Sequence, residues 1–508
     1  MKDTQVIILL PNEQWWGGRA ADGSHMPYGA KPFEADLFAT LGMNQAAPLL
    51  LSNKGRYIWS DQPFSFSFTA EAITITGLTS EIVVQEGFGS LRGAFQAASR
   101  QHFPTSGAYP DELLFTAPQY NLWIELLYQP TQEKVLAYAR SVLAAGMAPG
   151  VIMIDDNWHE PYGNWVFHSG RFPDPKGMVD QLHQMGFKVM LWVCPFVSPD
   201  SRTFRELEDK GYLLKDKHGN TAIRHWWNGY SGVLDGSHEE AVTWFKQQLS
   251  DLQHNYGIDG FKLDAGDIEF YEASDQSAAP STPHEQCEAW ARIGLEFSLN
   301  EYRACWKLGG QPLAQRLKDK LHTWEGNGLS SLIPDALAQG LLGHPFICPD
   351  MIGGGEYEHF LQLSASLDQE LFVRSAQCAA LFPMMQFSAA PWRVLDEEHH
   401  RYCVQAADLH TRLGSEILEL AKQASQDGEP MMRHLAYAYP EVGYERISDQ
   451  FLLGDYILVA PVLEKGAIRR KVTFPPGIWV NEQGDRIVGP CTNVVDAPID
   501  VLPWYRKV

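Results

Sequence analysis

Apolar positions follow two different rhythms along this chain. From about residue 110 to 425, short apolar runs alternate with stretches of helical period. The strand candidates are Leu113–Phe115, Val151–Ile154, Val189–Val193, Gly260–Leu263, Phe346–Cys348 and Leu381–Met385. Helical patterns cover Thr131–Ala145, Met178–Met185, Glu239–Leu252, Glu285–Tyr302 and Gln369–Leu381. On either side the rhythm falls to period two. Phe64–Phe68, Ile73–Thr76 and Glu81–Gln85 come before, and Tyr456–Val459, Lys471–Phe474 and Ile478–Val480 after, all among Gly, Asn, Asp and Pro turns. Repeated βα units predict an α/β domain, either a doubly wound sheet or a (β/α)8 TIM barrel. No G-x-G-x-x-G opens a helix after the first strand and no phosphate loop occurs, so the barrel is preferred. The expected organisation is an N-terminal β-sandwich over 1–108, a barrel over 109–427 and a C-terminal β-sandwich over 428–508.

Composition narrows the partners. A net charge of −22 over 508 residues argues against nucleic acid or an anionic membrane surface, both of which want clustered Lys and Arg. No run approaches the roughly 20 apolar residues of a membrane helix. The run Val6–Leu10 is too short for a signal peptide and is cut by Pro11. Seven scattered cysteines with no C-x-x-C fit a reduced setting, so a cytoplasmic protein is expected. No cofactor or metal is expected: no H-E-x-x-H occurs and His399-His400 lies in a charged run. No G-x-S-x-G elbow supports an esterase. The oligomeric state stays open.

In a barrel, functional groups come from the C-terminal ends of several strands. Gly260-Phe-Lys-Leu ends in Asp264, and Lys262 and Asp264, two apart, point to one face. Val151–Ile154 ends in Asp155-Asp156-Asn157-Trp158, Val189-Met-Leu in Trp192, and Phe346-Ile-Cys-Pro in Asp350. His322-Thr-Trp324-Glu325-Gly-Asn327 follows what reads as a basic helix. Each piece has an ordinary structural reading as ion pair, cap, core or turn. Together, carboxylates and tryptophans at several strand ends suit a sugar site, because indole faces stack on sugar C–H faces and paired carboxylates cleave glycosidic bonds. The expected partner is therefore an oligosaccharide or glycoside.

These segments resemble glycoside hydrolase family 31, the retaining α-glycosidases. The matching stretches are Gly260–Asp267, Ile154–Trp158, Phe172–Lys176, Phe187–Trp192, Pro349–Gly354, Glu370–Arg374 and Asp449–Val462, in the family's order. The resemblance implies the same three-part architecture, Asp264 as nucleophile, and substrate-binding roles for Asp155 or Asp156, Trp192 and Asp350. Lys262 beside Asp264 would favour its ionised form, and Trp123, Trp192, Trp227 and Trp324 are candidates to close an exo-type pocket.

Two departures stand out. The family's acid/base aspartate sits in a Trp-x-Gly-Asp context, and here Trp324-Glu-Gly-Asn327 puts an amide in its place. An amide neither gives up a proton nor accepts one from water at neutral pH. Three readings follow: an Asp→Asn inactive variant, an acid supplied instead by Glu325, Asp335 or Glu356, or a non-catalytic sugar binder. The second departure is Pro383-Met-Met-Gln386-Phe-Ser388, where the family's α-glucosidases usually carry Arg and His. With Asp155-Asp-Asn-Trp and Pro349-Asp-Met-Ile-Gly-Gly, this favours the α-galactosidase-like branch. α-Glucosidase and transglycosylase remain alternatives.

Overall fold

The computed structural model describes residues 4–39, 44–363 and 367–508, so the first three residues of the expected N-terminal domain lie outside the described residues. At its centre eight parallel strands form a barrel: β1 (Gln119–Asn121), β2 (Val151–Ile154), β3 (Lys188–Val193), β4 (Gly260–Leu263), β5 (Leu299–Tyr302), β6 (Gln315–Arg316), β7 (Ile347–Cys348) and β8 (Gln386–Phe387). They are hydrogen-bonded in the order β7-β6-β5-β4-β3-β2-β1-β8. A parallel bridge from Met351 to Gln386, with Ile352 N donating to Gln386 O at 2.8 Å, closes the ring between β7 and β8.

Strands with continuous apolar runs lie where they were expected; β4 matches to the residue. Strands with polar sequences differ. The expected strand Leu113–Phe115 is a short helix, Leu113–Thr116, whose first turn is held by Leu113 N donating to Asp111 Oδ1. The strand proper is Gln-Tyr-Asn, β1. The helix expected over Glu285–Tyr302 stops at Ile293, and Leu-Asn-Glu-Tyr forms β5. No helix precedes Trp324; the two-residue strand β6 and a loop lie there. Leu381–Met385 turns, and the strand is Gln386–Phe387.

One cause covers most of these differences. The barrel interior on this side is a polar network, not an apolar core. Gln386 Nε2 donates to Gln119 Oε1 (2.9 Å) and Glu301 Oε2 (2.6 Å), while Asn121 Nδ2 donates to Gln386 Oε1 (3.3 Å). Each of these side chains is at most 1% exposed. These buried polar groups satisfy one another in part, with Gln119 Nε2 and Glu301 Oε1 left without a hydrogen bond, and their residue types hide the strands from apolar patterning.

The N-terminal region forms two sheets. Thr4–Ile8, Ala72–Thr76, Ser65–Phe68 and Phe33–Asp36 pair antiparallel in one. Trp15–Arg19, Gln45–Ser52, Tyr57–Ser60 and Ile82–Gln85 form the other. The second sheet also takes in Cys305–Trp306, a strand that follows β5 and pairs parallel to Gln45–Ala46. The last part of the chain is one antiparallel six-stranded sheet, from Met432–Arg433 to the long hairpin Arg469–Val480 and Arg486–Asp496.

Buried arginine sews this sheet region to the barrel. Arg374, 1% exposed on the helix Gln369–Ala379, donates to the carbonyls of Ala497 (2.8 Å), Val501 (3.1 Å) and Ala467 (3.2 Å). Hydrogen bonds from a charged donor contribute about 1.5–3 kcal/mol each, and orphaned buried carbonyls cost more. Arg374→Met is expected to lower unfolding stability by roughly 3 kcal/mol or more, read as a fall in the urea midpoint at unchanged slope.

Candidate active site

The C-terminal ends of the barrel strands converge on a cavity of about 420 Å³. Its wall holds Asp155 and Asp156 after β2, Trp192 on β3, Lys262 and Asp264 on and after β4, Arg303 after β5, and Arg316 and Asp319 on and after β6. Trp123, Trp227, Met351, Gly355, Glu356, Tyr357 and Glu358 complete it. Strand register explains the first layer. Trp192 pairs with Lys262, and Lys262 with Glu301, so these three lie level around the ring.

Asp264 leaves β4 in a sharp turn. Ala265 and Gly266 both have positive φ (54° and 71°), and a Cβ on Gly266 would lie 2.1 Å from the Trp290 ring, so only glycine fits. The Asp264 amide donates to Val193 O at 2.9 Å, and the Trp192 indole donates to Asp264 Oδ2 at 2.7 Å. The other carboxylate oxygen, Oδ1, is buried and makes no hydrogen bond. Burial alone would raise the proton affinity of Asp264. The positive charges of Lys262, Arg303 and Arg316, with the indole N–H, outweigh burial and hold it below the ordinary carboxylate range.

Lys262 itself bonds to Asp155 Oδ2 at 2.7 Å, both groups being about 5% exposed. It therefore acts on Asp264 through space while keeping Asp155 compensated; burial raises Asp155, and Lys262 opposes that. Asp156 is fixed by Asn228 Nδ2 (2.6 Å) and Tyr162 OH (3.1 Å), drawing the hairpin Ile223–Trp226/Gly229–Val233 over the mouth.

Arg303 is the hub. Its Nε lies 3.2 Å from Asp267 Oδ2 and 3.9 Å from Asp264 Oδ1, its Nη1 3.8 Å from Asp319 Oδ2, and its guanidinium carbon 5.1 Å from the Trp227 ring centre. The N-terminal sheet holds its main chain: Asn44 Nδ2 donates to Arg303 O at 2.8 Å. Gln45 Nε2 lies 3.0 Å from Arg303 O and 2.7 Å from Arg316 O. Arg316 in turn pairs with Asp319 and, at 2.7 Å, with Asp350 Oδ1. Burial opposes ionisation of Asp319, but Arg316 and Arg303 dominate and pull its proton affinity well down. Burial, with Asp319 nearby, pushes Asp350 up to about 6 although Arg316 opposes it.

Several expected site residues stand elsewhere. Asn327 does not line the cavity; its amide donates to Asp319 O at 2.8 Å. Trp324 also lies outside the lining, its indole donating to Asp368 Oδ2, the N-cap of the helix Gln369–Ala379. Asp350 is buried behind the wall, where it accepts from Lys320 N (2.7 Å) and Gly355 N (3.1 Å) and holds Arg316. Of the alternative acids, Asp335 is buried in an ion pair with Lys320 and Glu325 is exposed; only Glu356 lines the cavity. Gln386 and Ser388 belong to the barrel interior and do not line the cavity. Conversely, Asp319, Arg303 and Arg316 were not legible as site residues. Their strands carry no apolar run, and a basic helix read over β6 hides that Asp319 follows a strand end. Among the described residues no group of three or more His, Cys, Asp or Glu side chains is arranged to hold a metal ion.

Comparison with known proteins places this geometry. Residues 116–414 match the model of the glycosyl hydrolases family 31 TIM-barrel domain, and 428–507 that of the family 31 C-terminal domain. The chain belongs to glycosyl hydrolase family 31. It is 34% identical over 417 residues to the myogenesis-regulating glycosidase of Mus musculus, covering 79% of this chain and 57% of that protein. It is 26% identical over 367 residues to the sulfoquinovosidase of Escherichia coli strain K12, covering 68% and 53%. The family 31 dextranase of Flavobacterium johnsoniae, solved with glucose, superposes with a TM-score of 0.85 at 20% identity, covering 99% of this chain and 66% of that one. The chain thus spans little more than half the length of these two curated relatives. None of the three carries galactose in its name, so the expected α-galactosidase-like branch draws no support from them.

The electrostatics set an expectation for any aryl α-glycoside the chain turns over. With Asp264 in the nucleophile's place that the resemblance implies, the acid limb of kcat/KM is expected below the ordinary aspartate value of about 4. Arg303→Met removes one of its three cations and is expected to move that limb up, checked by a kcat/KM pH profile.

Proposed function

We propose that this chain is a retaining, exo-acting α-glycosidase with Asp264 as nucleophile and Asp319 as general acid/base. One observation carries the reading. Carboxylates from the ends of β4 and β6 open onto one cavity and share a single guanidinium, Arg303, while the first is anchored by Trp192.

In the first step Asp264 Oδ1, the oxygen free of hydrogen bonds, attacks the anomeric carbon. Asp319 protonates the departing glycosidic oxygen. Its carboxyl is 31% exposed on its side chain, against 10% for Asp264, which suits a group that meets the leaving group and then water. Arg316 and Arg303 hold Asp319 ionised, so it takes up its proton only where a sugar parts it from Arg316 and excludes water. Once Asp264 is esterified its negative charge is gone, which lowers the proton affinity of Asp319 and lets it act as base toward water. Glu356 is the second reading for the acid. It shares the cavity, and burial raises its proton affinity, as an acid requires. It makes no ion pair with Arg303 or Arg316 among the described residues, which leaves Asp319 as the carboxylate coupled to Asp264.

The substrate we infer is a neutral terminal hexoside. Lys262, Arg303 and Arg316 are each bound to carboxylates, so no cation in the lining is left to meet a sulfonate or carboxylate on the sugar. An α-galactoside is the first to try, on the Asp155-Asp-Asn-Trp and Pro349-Asp-Met-Ile-Gly-Gly forms; α-glucoside is the alternative. A sugar acceptor in place of water would give transglycosylation with the same groups.

Hydrolysis of aryl α-galactoside and aryl α-glucoside is to be compared in the chain as it stands and in three variants. Turnover of at least one is expected, with Asp264→Asn at background. Asp319→Asn is expected to lose roughly 10²- to 10⁴-fold on poor leaving groups but little on activated ones, and Glu356→Gln to stay within a few-fold. If neither glycoside is cleaved, the reading fails; if Glu356→Gln alone shows the leaving-group pattern, Glu356 takes the acid role.

A further inference from the structure

We propose that Asn327 is a positioning residue that holds Asp319 in place, so the asparagine is required there and does not stand in for a lost acid. The proposal rests on Asp319 being the acid/base.

The loop after β6 is pinned by this one side chain. Asn327 Nδ2 donates to Asp319 O at 2.8 Å, and Asn327 Oδ1 lies 3.3 Å from Lys320 Nζ. The Asn327 carbonyl accepts from Leu321 N at 2.8 Å, closing the loop 321–327 at its base. Gly328 beside it allows the closure, since a Cβ there would lie 2.1 Å from Thr323 O. Lys320 cannot drift: its ammonium is buried against Asp335 Oδ2 (2.5 Å) and Ser331 Oγ (2.8 Å), and its amide donates to Asp350. Asp319 is thus gripped through its own carbonyl and through the next residue, while its carboxyl, paired with Arg316, lines the cavity.

Only an amide fits both contacts, because asparagine offers a donor and an acceptor together. A carboxylate at 327 would keep Lys320 but set an oxygen against Asp319 O, with no proton between them. Alanine would release both. In either case Asp319 loses the hydrogen bond to its own carbonyl and keeps only the hold through Lys320, and displacement of a catalytic group by about 1 Å costs on the order of a hundredfold in rate.

The test compares Asn327→Asp and Asn327→Ala with Asp319→Asn, each on an activated aryl glycoside and on one with a poor leaving group. Both Asn327 variants are expected to fold, shown by an unchanged circular dichroism spectrum. On the poor leaving group their kcat should fall roughly ten- to a hundredfold, with the activated substrate and KM changed two- to threefold at most. Asn327→Asp raising turnover would mean that the acid belongs at 327 and would overturn the proposal. Equal losses on both substrates would also overturn it, because that pattern marks general disruption of the site. If Asp319→Asn shows leaving-group dependence and the Asn327 variants do not, only this inference falls. If Asp319→Asn lacks it too, the acid assignment falls with it.

Discussion

Packing several carboxylates into a buried cavity is possible only if cations are fixed among them, and Arg303 does most of that here. Asp264, Asp267 and Asp319 all lie within 4 Å of its guanidinium. In a medium of low effective dielectric, neighbouring carboxylates would force one another to stay protonated. With Lys262, Arg303 and Arg316 in place, Asp264 is instead held ionised, as the proposed nucleophile has to be. The charges are expensive to bury and are tolerated because each has a directed partner.

That arrangement depends on parts of the molecule far from the chemistry. One residue separates Arg303 from Cys305–Trp306, a strand that joins the N-terminal sheet. From that sheet, Asn44 and the fully buried Gln45 reach the main-chain oxygens of Arg303 and Arg316. The N-terminal region is therefore a support for the two arginines as well as a cover for the barrel. Asp350 plays the same part from the other side. Its backbone is held at φ 95°, a conformation rare outside glycine, while its carboxylate collects Arg316, Lys320 N and Gly355 N.

What could be read from the sequence follows the apolar content of each strand. β2, β3 and β4 are mostly Val, Ile, Met, Leu and Phe, and the residues on or just after them, Asp155, Asp156, Trp192, Lys262 and Asp264, all line the cavity. β1, β5, β6 and β8 are built from Gln, Asn, Glu and Arg because the inside of the barrel there is polar. They carry no apolar signal, and the site groups that follow β5 and β6, Arg303 and Asp319, stayed hidden with them. The Trp324–Asn327 segment kept a familiar outline but lies one layer out, where it braces the loop that carries Asp319. Motif spacing pointed to this loop but not to Asp319, the residue of it that lines the cavity, because spacing along a loop does not say which side chain turns inward.

The central claim is that Asp264 forms a bond to the sugar. A 5-fluoroglycosyl fluoride of the sugar that the chain hydrolyses should trap the glycosyl-enzyme, and peptide mapping by mass spectrometry would locate the label. The expected result is one added glycosyl group per chain, on the peptide carrying Asp264 and absent from Asp264→Asn. A label on another carboxylate, or time-dependent inactivation that persists unchanged in Asp264→Asn, would contradict the account.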